Sequence, residues 1–387
     1  MEKKKVLFVT WSLTQGGGEA QSVINILNNL NYDKYDVYVF EFNRGLKEIS
    51  LNSEIKFLKP IVDYNKENND DEKRSLTRYM RNPESIRKLI DDKYDCVIAC
   101  NRGTTSAIAA FIKANKRIVW IRGTIENLNV NNYASTSEKE LVKYKYDQQN
   151  ILFNAYDKIV AVSDSVENSL ITMFDKHKNK VVKIYNSIDP VLVKKMSEED
   201  FTLYQPTKPN VLINVGRLRE VKNQQLIIKA MKIITKKRKD VELLIIGEGL
   251  LKDELEKEIK DNKLEEYVKL IGFCSNPFPL LKKAKIFCLS SHSEGFCLSI
   301  SEACTLEIPF VSTDVGGAQE LKKDECGFIV DGKPESFAEK IEFLLNNSKV
   351  YEKTKSNCLV AAKRFDVKNL GVQVGNLIDS MFENGGD

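Results

Sequence analysis

Short runs of β-branched and aromatic residues alternate with longer helical patterns along this chain, and the whole series occurs twice. Such alternation is typical of βαβ units, which build parallel sheets covered by helices on both faces. At 387 residues the chain is long enough for two compact domains. The sequence therefore predicts an α/β protein with two doubly wound, Rossmann-like domains. Ligands of such folds bind at the carboxyl ends of strands, so we expect a binding cleft between the domains.

The first half of the chain carries most of one predicted domain. Its predicted strands are Lys5–Thr10, Asp36–Phe42, Ile55–Leu58, Asp95–Cys100, Arg117–Ile121 and Lys158–Val162. Its predicted helices are Gly18–Leu30, Thr104–Ala114 and Glu138–Ala155. The polar stretch from Asp63 to Lys73 is predicted to be a loop.

A polar segment from Asp189 to Pro209 separates the two series, so we predict domains at residues 1–190 and 207–365. The predicted strands of the second domain are Val211–Val215, Val241–Ile246, Tyr267–Ile271, Ile286–Ser290, Pro309–Ser312 and Gly327–Val330. Its predicted helices are Asn223–Lys236, Lys252–Asn262, Leu298–Leu306 and Glu335–Asn346. A last amphipathic helix is predicted at Leu370–Phe382.

Composition argues against several other classes of protein. No apolar run approaches the length needed to span a bilayer, and the first residues show no signal-peptide pattern, so we expect a cytoplasmic protein. Eight cysteines without a Cys-x-x-Cys pair, together with only two histidines, predict reduced structural thiols and no bound metal. A net charge of +4 does not suggest a nucleic-acid partner.

Positive charge is concentrated between Lys73 and Lys88, where six basic residues face one acidic residue. Asn82 and Pro83 resemble an N-cap and a first helical residue, so a basic amphipathic helix is predicted to begin there. Such a helix can lie on an anionic membrane surface as a peripheral contact. A solvated helix face explains the same pattern equally well.

The loop after Val211–Val215 places Arg217 and Lys222 at the carboxyl end of a predicted strand. A guanidinium can chelate phosphate oxygens, and a lysine adds a point charge. Standing alone, the two residues would be explained as well by an exposed basic loop.

A second loop follows Ile286–Ser290 and leads through Gly295 into a helix. The free amides of its first turn, around Cys297 to Ile300, would form an anion site for a diphosphate. Glu302, one turn further in, could accept hydrogen bonds from ribose hydroxyls, and Glu294 would face a sugar beyond the phosphates. Each carboxylate alone could equally be a capping or solvent-exposed residue.

Glu294 and Glu302 together form a Glu-x7-Glu motif, and the chain resembles the family of retaining glycosyltransferases of the GT-B fold that carries this motif, family 4 and its relatives. Other landmarks of that family follow in order over nearly the whole chain. They are Gly-Gly-x-Glu at residues 16–19, Val-Ser-Asp-Ser at 162–165, Asn-Ser-Ile-Asp at 186–189, Gly-Arg-Leu at 216–218 with Lys-Asn at 222–223, Ile-Gly-Glu-Gly at 246–249, and Thr-Asp-Val-Gly-Gly-Ala-Gln-Glu at 313–320.

The resemblance implies that the two domains bind different substrates. The first domain, joined by the C-terminal segment 366–387, would bind the acceptor, and the second would bind a nucleotide sugar. Arg217 and Lys222 would hold the donor diphosphate and stabilise its charge, Glu302 would bind the ribose, and Glu294 would contact the sugar. The remaining donor-site residues implied are Gly16, Gly17, Gly18, Gly247, Phe273, Gly295, Phe296, Cys297, Leu298 and Ser299.

One position departs from the family pattern. Members often carry a histidine after the strand that corresponds to Arg117–Ile121, placed to contact the donor sugar, whereas this chain reads Trp120-Ile121-Arg122. Arg122 would take a related role at the sugar or acceptor, or it belongs to a plain structural loop.

The implied reaction is metal-independent hexosyl transfer with retention, by front-face attack, and the chain has no Asp-x-Asp pair for a cation. The donor expected from family frequency is a UDP-sugar, with GDP-mannose second. The expected acceptor is a glycan of surface polysaccharide synthesis, such as an undecaprenyl-linked saccharide at the inner face of the cell membrane. No cofactor is expected, because the nucleotide sugar is a substrate.

Two other readings stay open. A catalytically silent sugar-binding partner of another transferase would fit the missing histidine. A GT-B nucleotide-sugar epimerase or phosphorylase would share the layout, but the epimerase needs more acid–base residues and the phosphorylase a cofactor lysine that the sequence does not indicate. A nicotinamide oxidoreductase is disfavoured, because residues 16–19 do not read Gly-x-Gly-x-x-Gly.

Overall fold

The computed structural model describes residues 2–14, 17–45, 49–64, 70–125, 135–201 and 204–383. The chain divides into two compact units, residues 1–187 with 367–387, and residues 188–366. Residues 191–206, which lie between the two predicted domains, therefore belong to the second unit.

The first unit is built on a parallel sheet with the strand order β4-β2-β1-β6-β7-β8-β9, and a small parallel pair, β3 and β5, lies outside it. The strands are β1 (Lys4–Thr10), β2 (Tyr35–Glu41), β3 (Asn43–Arg44), β4 (Lys56–Phe57), β5 (Val62–Asp63), β6 (Tyr94–Ala99), β7 (Ala114–Ile121), β8 (Lys158–Ala161) and β9 (Val181–Lys183). Val6, Leu7, Phe8 and Val9 of β1 are completely buried, as expected for a central parallel strand covered on both faces.

Helices connect these strands. They are α1 (Gly18–Asn29), α2 (Asp70–Arg81), α3 (Thr104–Ala109), α4 (Thr136–Asn154) and α5 (Asp164–Met173). A capping box fixes the start of α4, where Ser135 accepts from the Glu138 amide and the Glu138 side chain accepts from the Ser135 amide.

Two sequence predictions in this unit are wrong, and the helix predicted at Thr104–Ala114 ends at Ala109. The segment predicted as a loop up to Lys73 is helical from Asp70, because acidic residues in its first turn and Arg78 and Arg81 in its last turn match the helix dipole. The basic helix predicted to begin at Pro83 is only a 3₁₀ segment, Pro83–Lys88, and most of the basic residues lie on α2 instead. Residues 65–69 of the predicted loop lie outside the described residues.

The second unit contains another parallel sheet, with the strand order β12-β11-β10-β13-β14-β15. Its strands are β10 (Asn210–Val215), β11 (Val241–Ile246), β12 (Val268–Gly272), β13 (Ile286–Leu289), β14 (Phe310–Thr313) and β15 (Gly327–Val330). All twelve strands predicted from the sequence occur in the two sheets, with ends displaced by at most three residues.

The helices of the second unit are α6 (Pro190–Ser197), α7 (Gln224–Lys237), α8 (Lys252–Asp261), α9 (Phe278–Leu281), α10 (Leu298–Thr305), α11 (Gly316–Lys322), α12 (Pro334–Asn346) and α13 (Ser348–Arg364). The core between α7, α12 and the sheet is formed by apolar residues such as Ile227, Met231, Leu243, Phe337 and Ile341.

The last helix, α14 (Lys368–Glu383), packs on α1 and so returns the chain to the first unit. The contact is close at Gly371, where a Cβ atom would lie 1.6 Å from the Asn29 carbonyl oxygen. Asp379 accepts from the ammonium groups of Lys4 and Lys34, both at 3.2 Å. Among the described helices, α14 included, we find none with the length and apolarity of a membrane span.

Candidate functional site

The strand order of the second sheet reverses between β10 and β13. β11 and β12 extend the sheet on one side of β10, and β13, β14 and β15 extend it on the other. Such a switch point leaves a crevice outside the carboxyl ends of the two central strands, where open α/β sheets bind ligands. The loops that follow β10 and β13 carry Arg217, Lys222 and Glu294, so the fold brings these three predicted residues to one edge of the sheet.

Lys222 and Glu294 form an ion pair in this crevice. The Lys222 Nζ lies 2.6 Å from Glu294 Oε1, and their side chains are 26% and 15% exposed. The Ser291 hydroxyl donates to the same oxygen, also at 2.6 Å. In the described part of the chain no donor contacts Glu294 Oε2.

Hydroxyl side chains fix the two loops to each other. Ser290 donates to the main-chain oxygen of Lys222 at 2.8 Å, and the His292 amide donates to the Val221 oxygen at 2.8 Å. Thr313 donates to the Ser291 oxygen at 2.6 Å, which joins the end of β14 to the same loop. Nothing in the sequence singles out Ser290, Ser291 or Thr313, since a serine or threonine at a strand end has many ordinary roles.

Arg217 presents an exposed guanidinium that makes no hydrogen bond or ion pair with any described residue. Its backbone is nevertheless fixed, because the buried Gln224 side chain donates to the Arg217 oxygen at 3.1 Å. The next residue, Leu218, is buried, and its amide donates to the main-chain oxygen of Glu248 at 2.9 Å. A rigid loop with a free guanidinium is suited to binding an anion.

Gly247 has a structural reason to be glycine. Its φ is +145°, and a Cβ atom there would lie 2.0 Å from the Gly216 oxygen. The Gly216 amide donates to the Ile246 oxygen at 2.9 Å, so the loops after β10 and β11 are in direct contact. Gly247 therefore brings the β11 loop against the segment that carries Arg217.

The first turn of α10 offers an unoccupied amide. The Leu298 N–H donates to the Phe296 oxygen, whereas the Ser299 N–H has no acceptor among the described residues. No side chain of the described residues caps this helix. An anion at the α10 N-terminus would therefore meet the Ser299 amide and the positive end of the helix dipole.

Glu302 lies half-buried on α10, and its carboxylate contacts no donor or cation in the described part of the chain. Burial raises the pKa of Glu302 to about 7. An acidic group left without partners in such a position costs stability unless a ligand supplies donors.

The remaining donor-site predictions divide into buried and exposed residues. Gly295, Phe296 and Cys297 are buried, and the Phe296 ring packs edge-on against Phe365 at 5.0 Å. Phe273 follows β12 with 65% of its surface exposed, so its ring is free to meet a ligand. The first three therefore shape the loop, and Phe273 offers contact area.

Gly316 and Gly317 press the start of α11 against this loop. A Cβ atom on Gly316 would lie 2.3 Å from the main-chain oxygen of Glu294, and one on Gly317 would lie 2.7 Å from the main-chain nitrogen of Cys297. The Gly-Gly pair is thus required for the close approach that supports the backbone of Glu294.

Arg122 lies in the first unit, at the carboxyl end of β7. It donates through Nε to the Cys100 oxygen at 2.7 Å, and through Nη1 to Ser22 Oγ at 2.7 Å and Asn186 Oδ1 at 3.1 Å. Its Nη2 is buried without an acceptor among the described residues, and burial lowers the pKa of the guanidinium. Arg122 therefore joins β6, α1 and the Asn186 segment, as a structural cross-link does.

The glycine run after β1 is described only in part. Gly17 has a φ of +101° and precedes Gly18, the first residue of α1. Gly16 lies outside the described residues.

Comparison with known families accounts for both units. A family model described as "Glycosyltransferase Family 4" matches residues 16–192, and one described as "Glycosyl transferases group 1" matches residues 195–358. The chain belongs to the family 4 glycosyltransferases. This confirms the family predicted from the Glu-x7-Glu motif and its neighbours.

Two named glycosyltransferases are similar in sequence to this family 4 chain. It is 33% identical, over 61% of its length, to the N-acetylgalactosamine-N,N'-diacetylbacillosaminyl-diphospho-undecaprenol 4-alpha-N-acetylgalactosaminyltransferase of Campylobacter jejuni, of which 62% is covered. The match thus spans about three fifths of that relative. It is 29% identical to the capsular polysaccharide biosynthesis glycosyltransferase CapM of Staphylococcus aureus, over 72% of this chain and 73% of CapM.

A solved structure agrees with the fold of this family 4 chain. HepE of Anabaena, crystallised with UDP and glucose, superposes with a TM-score of 0.71 at 21% identity, over 97% of this chain and 100% of HepE. The prediction of a GT-B fold with two Rossmann-like domains is therefore confirmed.

Proposed function

We propose that this chain is a retaining glycosyltransferase that moves a hexose from a UDP-sugar to a lipid-linked glycan of surface polysaccharide synthesis. The observation that carries the proposal is the convergence of Arg217, Lys222 and the free Ser299 amide at the switch point of the second sheet, since all three suit a diphosphate. HepE, solved with UDP and glucose, supports the choice of nucleotide. The second domain accordingly binds the donor.

Each polar group of the site receives a role in this proposal. Arg217 and Lys222 hold the diphosphate and stabilise the charge that develops on it as the glycosidic bond breaks. Glu302 accepts hydrogen bonds from the ribose. Glu294, fixed through Oε1, offers Oε2 to a hydroxyl of the transferred sugar.

The proposed reaction uses no protein nucleophile. Glu294 is held by Lys222 and Ser291 and binds the sugar hydroxyls. The acceptor hydroxyl attacks on the face from which the diphosphate leaves, and its proton passes to a phosphate oxygen. Catalysis then depends on positioning and on electrostatic stabilisation of the leaving group. Retention is checked by NMR, which reads the anomeric configuration of the first product formed.

A metal ion has no part in this proposal, since Arg217 and Lys222 supply the positive charge at the diphosphate. No described group of His, Cys, Asp and Glu side chains is arranged to hold a metal. We expect EDTA to leave turnover unchanged. Loss of turnover that Mg²⁺ or Mn²⁺ restores would contradict this part of the proposal.

The first domain is assigned the acceptor. The Campylobacter relative is named for a diphospho-undecaprenol substrate, which supports an undecaprenyl-linked saccharide as the acceptor here. In this proposal Arg122 shapes the acceptor domain through its three hydrogen bonds and makes no contact with the donor.

Such an acceptor places the protein at the cytosolic face of the cell membrane. The helix α2 and the following 3₁₀ segment expose Arg74, Arg78, Arg81 and Lys88, with Met80 and Leu89 47% and 37% exposed beside them. Each basic side chain near an anionic bilayer contributes about 1 kcal/mol. We expect co-sedimentation with phosphatidylglycerol vesicles but not with phosphatidylcholine vesicles, and its loss in an Arg78→Glu, Arg81→Glu variant. Equal binding to both vesicles would remove the role of the basic side chains, and binding to neither would remove the membrane contact.

The donor site is tested by calorimetry with UDP, GDP, ADP and their sugar conjugates. We expect selective binding of UDP and one UDP-sugar, weakened about tenfold or more in Glu302→Ala, because a hydrogen bond to a charged group contributes about 1.5–3 kcal/mol. The control is Glu339→Ala, which removes an exposed carboxylate from α12. A folded protein that binds none of the nucleotides would instead indicate a silent partner subunit.

A further inference from the structure

Two consecutive serines at the end of β13 point to opposite sides of the site. Ser290 and Ser291 are 0% and 1% exposed. The Ser290 hydroxyl donates to the main-chain oxygen of Lys222 at 2.8 Å, and the Ser291 hydroxyl donates to Glu294 Oε1 at 2.6 Å. One serine therefore anchors the residue that carries the cation, and the other anchors the carboxylate.

Ser291 is itself held in place. Thr313 donates to its main-chain oxygen at 2.6 Å, and the neighbouring His292 amide donates to Val221 at 2.8 Å. The Ser291 side chain is short, its hydroxyl is a directional donor, and its backbone is fixed. The Lys222 side chain is long and flexible, so its ammonium group can move with the Glu294 carboxylate. Ser291 therefore constrains the orientation of that carboxylate more tightly than Lys222 does.

The contacts of Oε1 determine how the other carboxylate oxygen of Glu294, Oε2, is oriented. Oε1 receives two donors at 2.6 Å, whereas Oε2 receives none from the described residues. The orientation of Oε2 is then set by the contact at Oε1. If Ser291 is removed, the carboxylate can rotate around the remaining contact with Lys222, and Oε2 loses its fixed direction.

We infer that Ser291 is a positioning residue that fixes Glu294 for recognition of the donor sugar, while Ser290 fixes Lys222 for the diphosphate. The inference rests on the proposed function, because it assigns the two serines to the two halves of one donor. Neither serine touches the substrate in this arrangement, and each acts through its partner.

The test compares the Kd of the UDP-sugar that binds best to the wild type with the Kd of UDP. Ser291→Ala should raise the ratio of the two Kd values about tenfold, the effect of one hydrogen bond to a charged group. Ser291→Thr keeps the hydroxyl and should restore the ratio to within about threefold of the wild type. Ser290→Ala should weaken both ligands together and leave the ratio near that of the wild type.

A double-mutant cycle separates positioning from general destabilisation. In a Glu294→Ala background, Ser291→Ala should change the Kd ratio no further. If the two effects multiply, or if Ser291→Ala weakens UDP as much as the UDP-sugar, Ser291 does not act through Glu294 and the inference is wrong. A wild type that binds no nucleotide sugar would remove the proposed function and the inference together, so the two failures are distinguishable.

Discussion

Glu302 combines a half-buried carboxyl group with a pKa raised by burial from 4.5 to about 7. The folded protein therefore favours the neutral form more than the unfolded chain does. The stability that this difference contributes is present below about pH 4.5 and is lost as the pH rises through about 7.

This predicts a pH-dependent difference between the wild type and Glu302→Gln, whose side chain stays neutral at every pH. Between pH 5 and pH 8, the Tm of the ligand-free wild type should fall relative to that of the variant, by about 2–4 °C for each kcal/mol lost. Thermal unfolding of both proteins in matched buffers measures the effect. A constant difference in Tm would mean that Glu302 ionises as freely when folded as when unfolded.

Arg217 and Lys222 supply the second prediction at this scale. Arg217→Ala or Lys222→Ala should lower kcat/KM by about 100-fold or more, equivalent to about 3 kcal/mol, because each removes a preorganised charge from the leaving group. The matched control is Arg219→Ala, which removes an exposed arginine from the same loop. Steady-state kinetics decide the matter, and losses of only a few-fold would exclude the leaving-group role.

The positions of Arg217, Lys222 and Glu294 after recognisable strands, and of Glu302 on the helix that follows, could be predicted from the sequence, whereas their roles in donor binding are what the family resemblance implies and stay predictions. Ser290 and Ser291 could not be predicted, since their importance depends on where Lys222 and Glu294 lie in three dimensions. Arg122 was ambiguous for the same reason. Only its contacts with Ser22, Cys100 and Asn186 show a cross-link within the first unit.

At the scale of elements, the contact between the β10 and β11 loops depends on Gly247. Gly247→Ala would add a clash with the Gly216 oxygen to the cost of a positive φ, so we expect about 3 kcal/mol of destabilisation. Gly272→Ala is the matched control, because its φ is +82° but its Cβ would meet no atom within 4 Å, which leaves about 1 kcal/mol. Urea unfolding compares the two variants, and equal midpoints would argue against the close approach.

Several elements that lack a clear apolar period escaped prediction. The helix α13 escaped prediction because its buried face consists of Thr354, Cys358, Ala361 and Ala362, which are too small to give a clear hydrophobic period. The helix α2 buries little and is dominated by charge. β3, β5 and β9 have two or three residues each, fewer than an alternating pattern needs.

At the scale of the whole molecule, the first unit depends on a helix from the far end of the chain. Gly371→Ala would place a Cβ atom on the Asn29 carbonyl and separate α14 from α1, costing about 2 kcal/mol or more in spite of the better helix propensity of alanine. Hydrogen–deuterium exchange should increase in residues 1–187 and stay unchanged in residues 188–366.

Gly375→Ala is the control for this prediction. Its Cβ would meet only the Tyr35 side chain, with the hydroxyl nearest at 3.3 Å, which is far less close than the 1.6 Å contact at Gly371. Exchange should therefore resemble that of the wild type. Protection that drops equally in both units after Gly371→Ala would show that α14 does not stabilise the first unit selectively.

The return of α14 to α1 also sets an order of events on the ribosome. Residues 188–366 form a unit that is continuous in sequence, so a nascent chain can complete it as soon as these residues have left the exit tunnel. Residues 1–187 emerge earlier, yet they must wait for residues 367–383 before α1 gains its last neighbour. The half that is translated first is thus the half that is finished last, with the α14-binding face of α1 open to chaperones in the meantime.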